Sequence, residues 1–195
     1  KFINGLNQIS NERIFDELKK ILKLRNFNNL FNNIVSKEVI LNIFPQFKYP
    51  ERLKKINEIN LKLRNVYDYQ LFLAILVLDK SNEHEYFCHK YKISNEIKNI
   101  FKNISLNFTN LENKKFYSKE NINKLIYLSS KKEVENLLLF SIFVNSKIEI
   151  LIIEELLNYV KNYKVPKFPI SGDYLIEHGY KTGEALGKKL KSLEE

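Results

Sequence analysis

Ile148-Glu149-Ile150-Leu151-Ile152-Ile153-Glu154-Glu155-Leu156-Leu157-Asn158-Tyr159-Val160 is the stretch whose reading decides the fold class. Ile148, Leu151, Ile152, Leu156 and Val160 recur every three or four positions, the spacing that lines up on one face of an α-helix. Glu149, Glu154 and Glu155 interrupt the apolar run. It therefore falls short of the roughly 20 apolar residues that a membrane-spanning helix needs. Ser146 and Glu149 stand at capping-box spacing, in which each side chain reaches the other residue's free backbone amide. The pattern predicts an amphipathic helix over 147–162.

The same periodicity continues upstream. Ile14, Leu18, Ile21 and Leu22 form one set, and Leu71, Leu73, Ile75, Val77 and Leu78 form a more buried one. Ser130 and Glu133 repeat the capping-box spacing. Gly5 is the only glycine before Gly172, and Pro45 and Pro50 are the only prolines before Pro166. A β protein needs turn glycines for its hairpins, so this stretch argues against sheet. Helices are predicted near 10–24, 27–35, 37–44, 51–64, 67–79, 95–112, 118–129, 131–144 and 147–162. The expected architecture is an all-α, elongated multi-helix array.

Composition narrows the function classes. A hydrophobic fraction of 44% in 195 residues supplies a buried core and excludes wholesale disorder. Net charge is +9, with a pI near 9.4, which favours an anionic partner, nucleic acid ahead of a membrane surface. Cys88 is the single cysteine, which excludes an internal disulfide framework and fits a reducing compartment. With no signal peptide or apolar span, the expected location is cytoplasmic and no membrane partner is expected. The chain opens at Lys1 and contains no Met, so it is expected to be a piece of something longer.

Composition changes after Tyr163. Lys164-Val165-Pro166-Lys167-Phe168-Pro169 reads as a rigid linker, and four of the five glycines follow it. The module at 164–195 reads as helix, glycine turn, helix. Ser171 is placed to cap the first helix, and Gly179 to end it in a left-handed conformation. Gly183 frees the backbone at the start of the second helix. Open amides there, with Lys181, Lys188, Lys189 and Lys191 nearby, would suit a phosphate. The alternative is a tight helix hairpin whose glycines permit close packing. A second concentration of charge, Arg52, Lys54, Lys55, Lys62 and Arg64, lies on the predicted 51–64 helix beside Tyr49, Tyr67 and Tyr69. It reads either as a surface that tracks an RNA backbone or as a solvated face. His84 and Cys88 share a helical face, but a structural zinc site needs four ligands. Cys88 is read as a small core residue, and no metal site is expected.

Two sets of residues, in order along the chain, resemble one family. Phe168, Pro169, Ser171, Gly172, Leu175, Gly179, Gly183, Gly187 and Leu190 are similar to the tail of bacterial class II tRNA nucleotidyltransferases (CCA-adding enzymes) and their poly(A) polymerase relatives. Tyr174 stands where that family prefers Asp, and Thr182 replaces a proline, so a looser turn is expected. Ser10-Asn11-Glu12-Arg13-Ile14-Phe15-Asp16-Glu17-Leu18 resembles the family's neck motif, and Ile43-Phe44-Pro45-Gln46-Phe47 the step after the neck helices.

The resemblance implies neck-like helices over 1–64, body helices over 65–163 and a tail over 164–195, without the nucleotidyltransferase head. In the neck, Ser10, Glu12, Arg13 and Glu17 would be structural. The candidate RNA-binding residues are Lys181, Gly183, Lys188, Lys189, Arg52, Lys55 and Arg64. The expected partner is tRNA, with a separate catalytic head as a further one. No catalytic residue is assigned: Asp16, Asp68, Asp79 and Asp173 are scattered, and two-metal phosphoryl transfer needs clustered carboxylates. Magnesium and CTP or ATP would belong to the head, so no cofactor is expected here and the chain alone is expected to be inactive. The other reading is a stand-alone, head-less helical module that binds RNA or protein.

Overall fold

The computed structural model describes residues 8–166 and 169–194. Among them there is no strand, so the all-α expectation holds. The order is α1 (Asn11–Leu22), α2 (Asn28–Asn32), α3 (Ile34–Ile43), a 3-10 helix (Pro50–Asn57), α4 (Leu61–Arg64), α5 (Tyr69–Val77), α6 (Glu83–Lys90) and α7 (Asn95–Asn107). Two 3-10 turns follow (Asn110–Glu112 and Lys114–Tyr117), then α8 (Lys119–Leu128), α9 (Lys131–Val144), α10 (Ile150–Asn162), α11 (Gly172–Glu177) and α12 (Glu184–Glu194). The chain divides into two compact units, Lys1–Tyr163 and Lys164–Glu195.

The first unit is built around α5 and α9. Every residue from Gln70 to Val77 is buried, and α9 buries Val134 and each residue from Asn136 to Phe143. Helices apolar on all sides belong inside a core. The two pack on each other. α7, α8 and α10 surround α9, while α1, α7 and the Pro50–Asn57 helix cover α5. Ser130 caps α9 as its spacing predicts: its Oγ accepts from the Glu133 amide and donates to the Glu133 carboxylate, both at 3.2 Å.

Four details depart from the sequence reading. α10 starts at Ile150, with Glu149 as its cap residue and no side-chain cap bond, so Ser146 and Glu149 form no capping box. Its buried face is Ile153, Leu156 and Val160, whereas Leu151 is 67% exposed and Ile152 39%. The predicted 51–64 helix is two elements. Leu53, Ile56 and Ile59 are buried at a spacing of three, the period of a 3-10 helix. Asn60 then caps a new helix by accepting from the Leu63 amide at 2.8 Å. The predicted 95–112 helix ends at Asn107. Finally, α6 was not anticipated; it buries only Phe87 and Cys88, too little for a periodic signal.

Phe87 lies where three segments meet. It is fully buried, with ring centroids 6.3 Å from Phe15 of α1, 6.0 Å from Phe47 and 4.8 Å from Tyr91. Such edge-on and tilted aromatic pairs add to the burial of their large surfaces. This cluster holds α1 in place.

The second unit is the pair α11 and α12, with Leu175 as its buried residue. Ser171 caps α11, its Oγ accepting from the Tyr174 amide at 3.1 Å. At the other end, the Tyr180 amide donates to Leu175 O and the Gly179 amide to Ile176 O, both at 3.0 Å. This is a Schellman closure with Gly179 at φ +90°.

Candidate nucleic-acid interface

The tail glycines are set by backbone angle rather than by crowding. Gly183 has φ +133°, and a Cβ placed on Gly179, Gly183 or Gly187 would meet no atom within 4 Å. The close-packing reading of the hairpin therefore has no support at those three positions. Lys181, Lys188, Lys189 and Lys191 are all exposed. Glu184 occupies the first turn of α12 and pairs with Lys188 at 2.8 Å. The positive end of the helix thus already faces a carboxylate of its own, which a phosphate must displace.

Arg52, Lys55 and Arg64 are not gathered on one helical face. Each donates to backbone carbonyls inside the first unit. Arg52 Nη1 donates to Ile75 O at 3.2 Å and Leu78 O at 2.6 Å, closing the end of α5. Its guanidinium lies over the Tyr49 ring, 4.2 Å from the centroid. Lys55 Nζ donates to Ile142 O at 2.7 Å and Asn145 O at 3.4 Å, doing the same for α9. Burial lowers the pKa of both. Arg64 donates to Arg25 O and to Asn28 Oδ1. Tyr67 is buried, its hydroxyl donating to Leu139 O at 2.9 Å, and burial pushes its pKa far up. The last carbonyls of a helix lack intrahelical donors, and these cations supply them. Replacing Arg52 with Met is expected to cost about 1.5–3 kcal/mol of stability, the usual worth of hydrogen bonds to a charged group. Urea unfolding measures it; an unchanged midpoint would mean that the two carbonyls need no donor.

Two residues of the neck-like segment, Ser10 and Glu12, make contacts of their own. Ser10 caps α1, its Oγ accepting from the Arg13 amide at 3.4 Å. Glu12 pairs with Lys92, beyond α6, and the hydrogen bond from Lys92 holds its carboxyl below the usual range. Glu17 pairs with Lys20 at 2.6 Å.

A groove of about 710 Å³ runs along α1, closed by Ile43 and Phe44 at the end of α3 and by Tyr69 at the start of α5. Arg13, Lys19, Lys20 and Lys23 line it, against the carboxylates of Asp16 and Glu17. The Lys23 ammonium sits 5.0 Å from the centroid of the Tyr69 ring. Lys19 pairs with Asp16 at 2.6 Å. Exposed pairs of this kind are worth only about 0–1 kcal/mol, so a phosphate can take Lys19 and Lys20 from their carboxylates. Cations beside a half-buried aromatic ring offer a single strand charge for its backbone and an edge for a base. Sequence reasoning passed over Lys20 and Lys23. The signal was present as four cations within two to three turns of one amphipathic helix.

Residues 1–49 match the family model described as "Probable RNA and SrmB- binding site of polymerase A". This segment is similar to the RNA-binding region of the poly(A) polymerase family. No curated protein matches the chain. Of the polymerase-like segment, residues 8–49 are described; they comprise α1, α2, α3 and the turn after them, and so include every groove residue except Tyr69. Among the described residues, no three His, Cys, Asp or Glu side chains gather closely enough to hold a metal ion. No described helix is long and apolar enough to cross a membrane.

Proposed function

We propose that the chain binds tRNA as the RNA-holding region of a tRNA nucleotidyltransferase, with α1 and the tail as its two contact surfaces. The observation that carries this reading is the basic groove along α1, which lies within the segment similar to a polymerase RNA-binding region. The net charge of +9 supports it. Duplex RNA is held mostly through its shape and phosphates, so lysines need not read bases. Lys181, Lys188, Lys189 and the Gly183 turn form the tail surface. Arg52, Lys55 and Arg64 hold the framework that presents α1.

Fluorescence anisotropy with tRNA lacking its 3′ CCA tests the reading. Binding is expected to weaken with salt by about 0.7–0.9 log unit per log unit of salt for each phosphate neutralised. Lys188→Ala with Lys189→Ala is expected to weaken it with the helical spectrum intact, since alanine is the better helix former. Gly183→Val is expected to do the same by straining φ +133°, which β-branched residues tolerate poorly. Full affinity in the double alanine variant would leave the tail as scaffold. Labelled CTP and ATP with magnesium are expected to yield no extension of that tRNA by the chain alone, because Asp16, Asp68, Asp79 and Asp173 form no cluster.

A second reading draws on α3. It buries none of its residues, and Ile34, Val35 and Val39 are 75%, 69% and 41% exposed. The matched family's description names a protein beside RNA. A helical protein-interaction module is therefore the alternative, and absence of any salt-sensitive tRNA binding would favour it.

A further inference from the structure

A second recess of about 560 Å³ lies between α6 and α7, lined by no residue of α1 or of the polymerase-like segment. Lys98 and Lys102, one turn apart on α7, line it with Asn99 of α7 and with His84, Glu85 and Cys88 of α6. Both lysines are exposed, and among the described residues neither forms an ion pair. The Cys88 thiol is pushed up to about 11 by burial, against the pull of Lys98's charge and with the push of Glu85's. Cys88 is therefore a neutral thiol, with a hydrogen to donate.

His84 forms part of the α6 wall of the recess. Its ring packs edge-on against Phe101, centroids 6.2 Å apart, and its Nδ1 is enclosed without a hydrogen-bond partner. That nitrogen has no open surface, so it meets no ligand in the recess, and His84 contributes the rest of its ring as part of the α6 wall. Two unpaired ammonium groups, the Asn82 and Asn99 amides, the His84 and His89 rings and the Cys88 thiol share the recess with one carboxylate, Glu85, on a surface that is otherwise largely apolar. Its volume falls in the range of small-molecule sites, too large for a single water and ample for a phosphate with a group attached.

We propose that the recess between α6 and α7 is a phosphate site, held by Lys98 and Lys102 with Asn99 and His84 beside them. The phosphate is either one link of an RNA strand or the phosphate of a free nucleotide. The site stands apart from the RNA-binding role of α1, because inorganic phosphate alone tests it.

The experiment is a titration of the full chain by ¹H–¹⁵N correlation spectra, using inorganic phosphate, AMP and a single-stranded RNA oligonucleotide. Phosphate and AMP are expected to shift the His84 ring and the amides of α6 and α7 saturably. Lys98→Gln with Lys102→Gln is expected to weaken both by about tenfold or more, since charge-assisted bonds to phosphate are the strong ones. Both side chains are solvent-exposed, so the variant keeps its fold, which the spectrum itself reports. If the oligonucleotide weakens in parallel, the phosphate belongs to a strand; if only phosphate and AMP weaken, it belongs to a free nucleotide. Absence of saturable shifts at α6 and α7, or equal shifts in the double variant, overturns the proposal. Neither result bears on Arg13, Lys20 or Lys23.

Discussion

Phe87→Ala is expected to remove about 3–5 kcal/mol of stability, the range for deleting a fully buried aromatic ring. The ring has no exposed surface and touches Phe15, Phe47 and Tyr91. Truncation therefore leaves a void whose lining belongs to three different segments, which cannot collapse together. In a chain of this size each kcal/mol moves the midpoint by roughly 2–4 °C, so a fall of roughly 10 °C is expected. Calorimetry measures it. Phe87→Leu fills most of the volume and is expected to lose less, about 1.5 kcal/mol. A fall under about 1 kcal/mol for the alanine variant would show that α1 is held by something other than this cluster.

The other large effect is on binding. Arg13→Ala, Lys20→Ala and Lys23→Ala together are expected to weaken tRNA binding by about two orders of magnitude near 0.1 M salt. The figure follows from three phosphate contacts at about 0.7 log unit each. The salt slope is expected to fall by about two log units per log unit for the same reason. None of the three is a core residue: all are exposed, and α1 buries only Phe15, Leu18 and Leu22. Melting is thus expected to stay put while affinity drops. A triple variant that keeps its salt slope would take the RNA off α1 altogether.

Which parts of this were legible in the sequence depends on how far away the deciding neighbour lies. The cap on α9 was readable because Ser130 and Glu133 decide it between themselves. The break within 51–64 was readable in principle, since Leu53, Ile56 and Ile59 recur every three residues and not every three or four. α10 misled because Ile150, Leu151, Ile152 and Ile153 are four apolar residues in a row. Periodicity cannot choose between Ile152 and Ile153 when both are isoleucine. Its start at Ile150 settles that choice, leaving Ile153 inside and Ile152 at the surface.

Arg52 and Lys55 show the limit for a site. Their charge is visible locally, but the carbonyls that claim it are 26 and 87 residues away. A sequence shows that a lysine is basic; it does not show which helix end arrives beside it. The groove on α1 had the opposite problem. Its cations are consecutive turns of one helix, yet Asp16 and Glu17 among them dilute the pattern.

The division of burial between α1 and α5 bears on how this protein can change over generations. From Gln70 to Val77 every side chain is enclosed, so nearly any drift there must be matched by drift in a neighbour. In α1 only Phe15, Leu18 and Leu22 are enclosed, with Ile14 and Ile21 packed beside them, and its exposed positions answer mainly to solvent and to whatever the helix binds. Lysines can be gained or lost along it one codon at a time without touching the fold. Selection can therefore retune the proposed grip on RNA, tighter or weaker, while the architecture stays frozen.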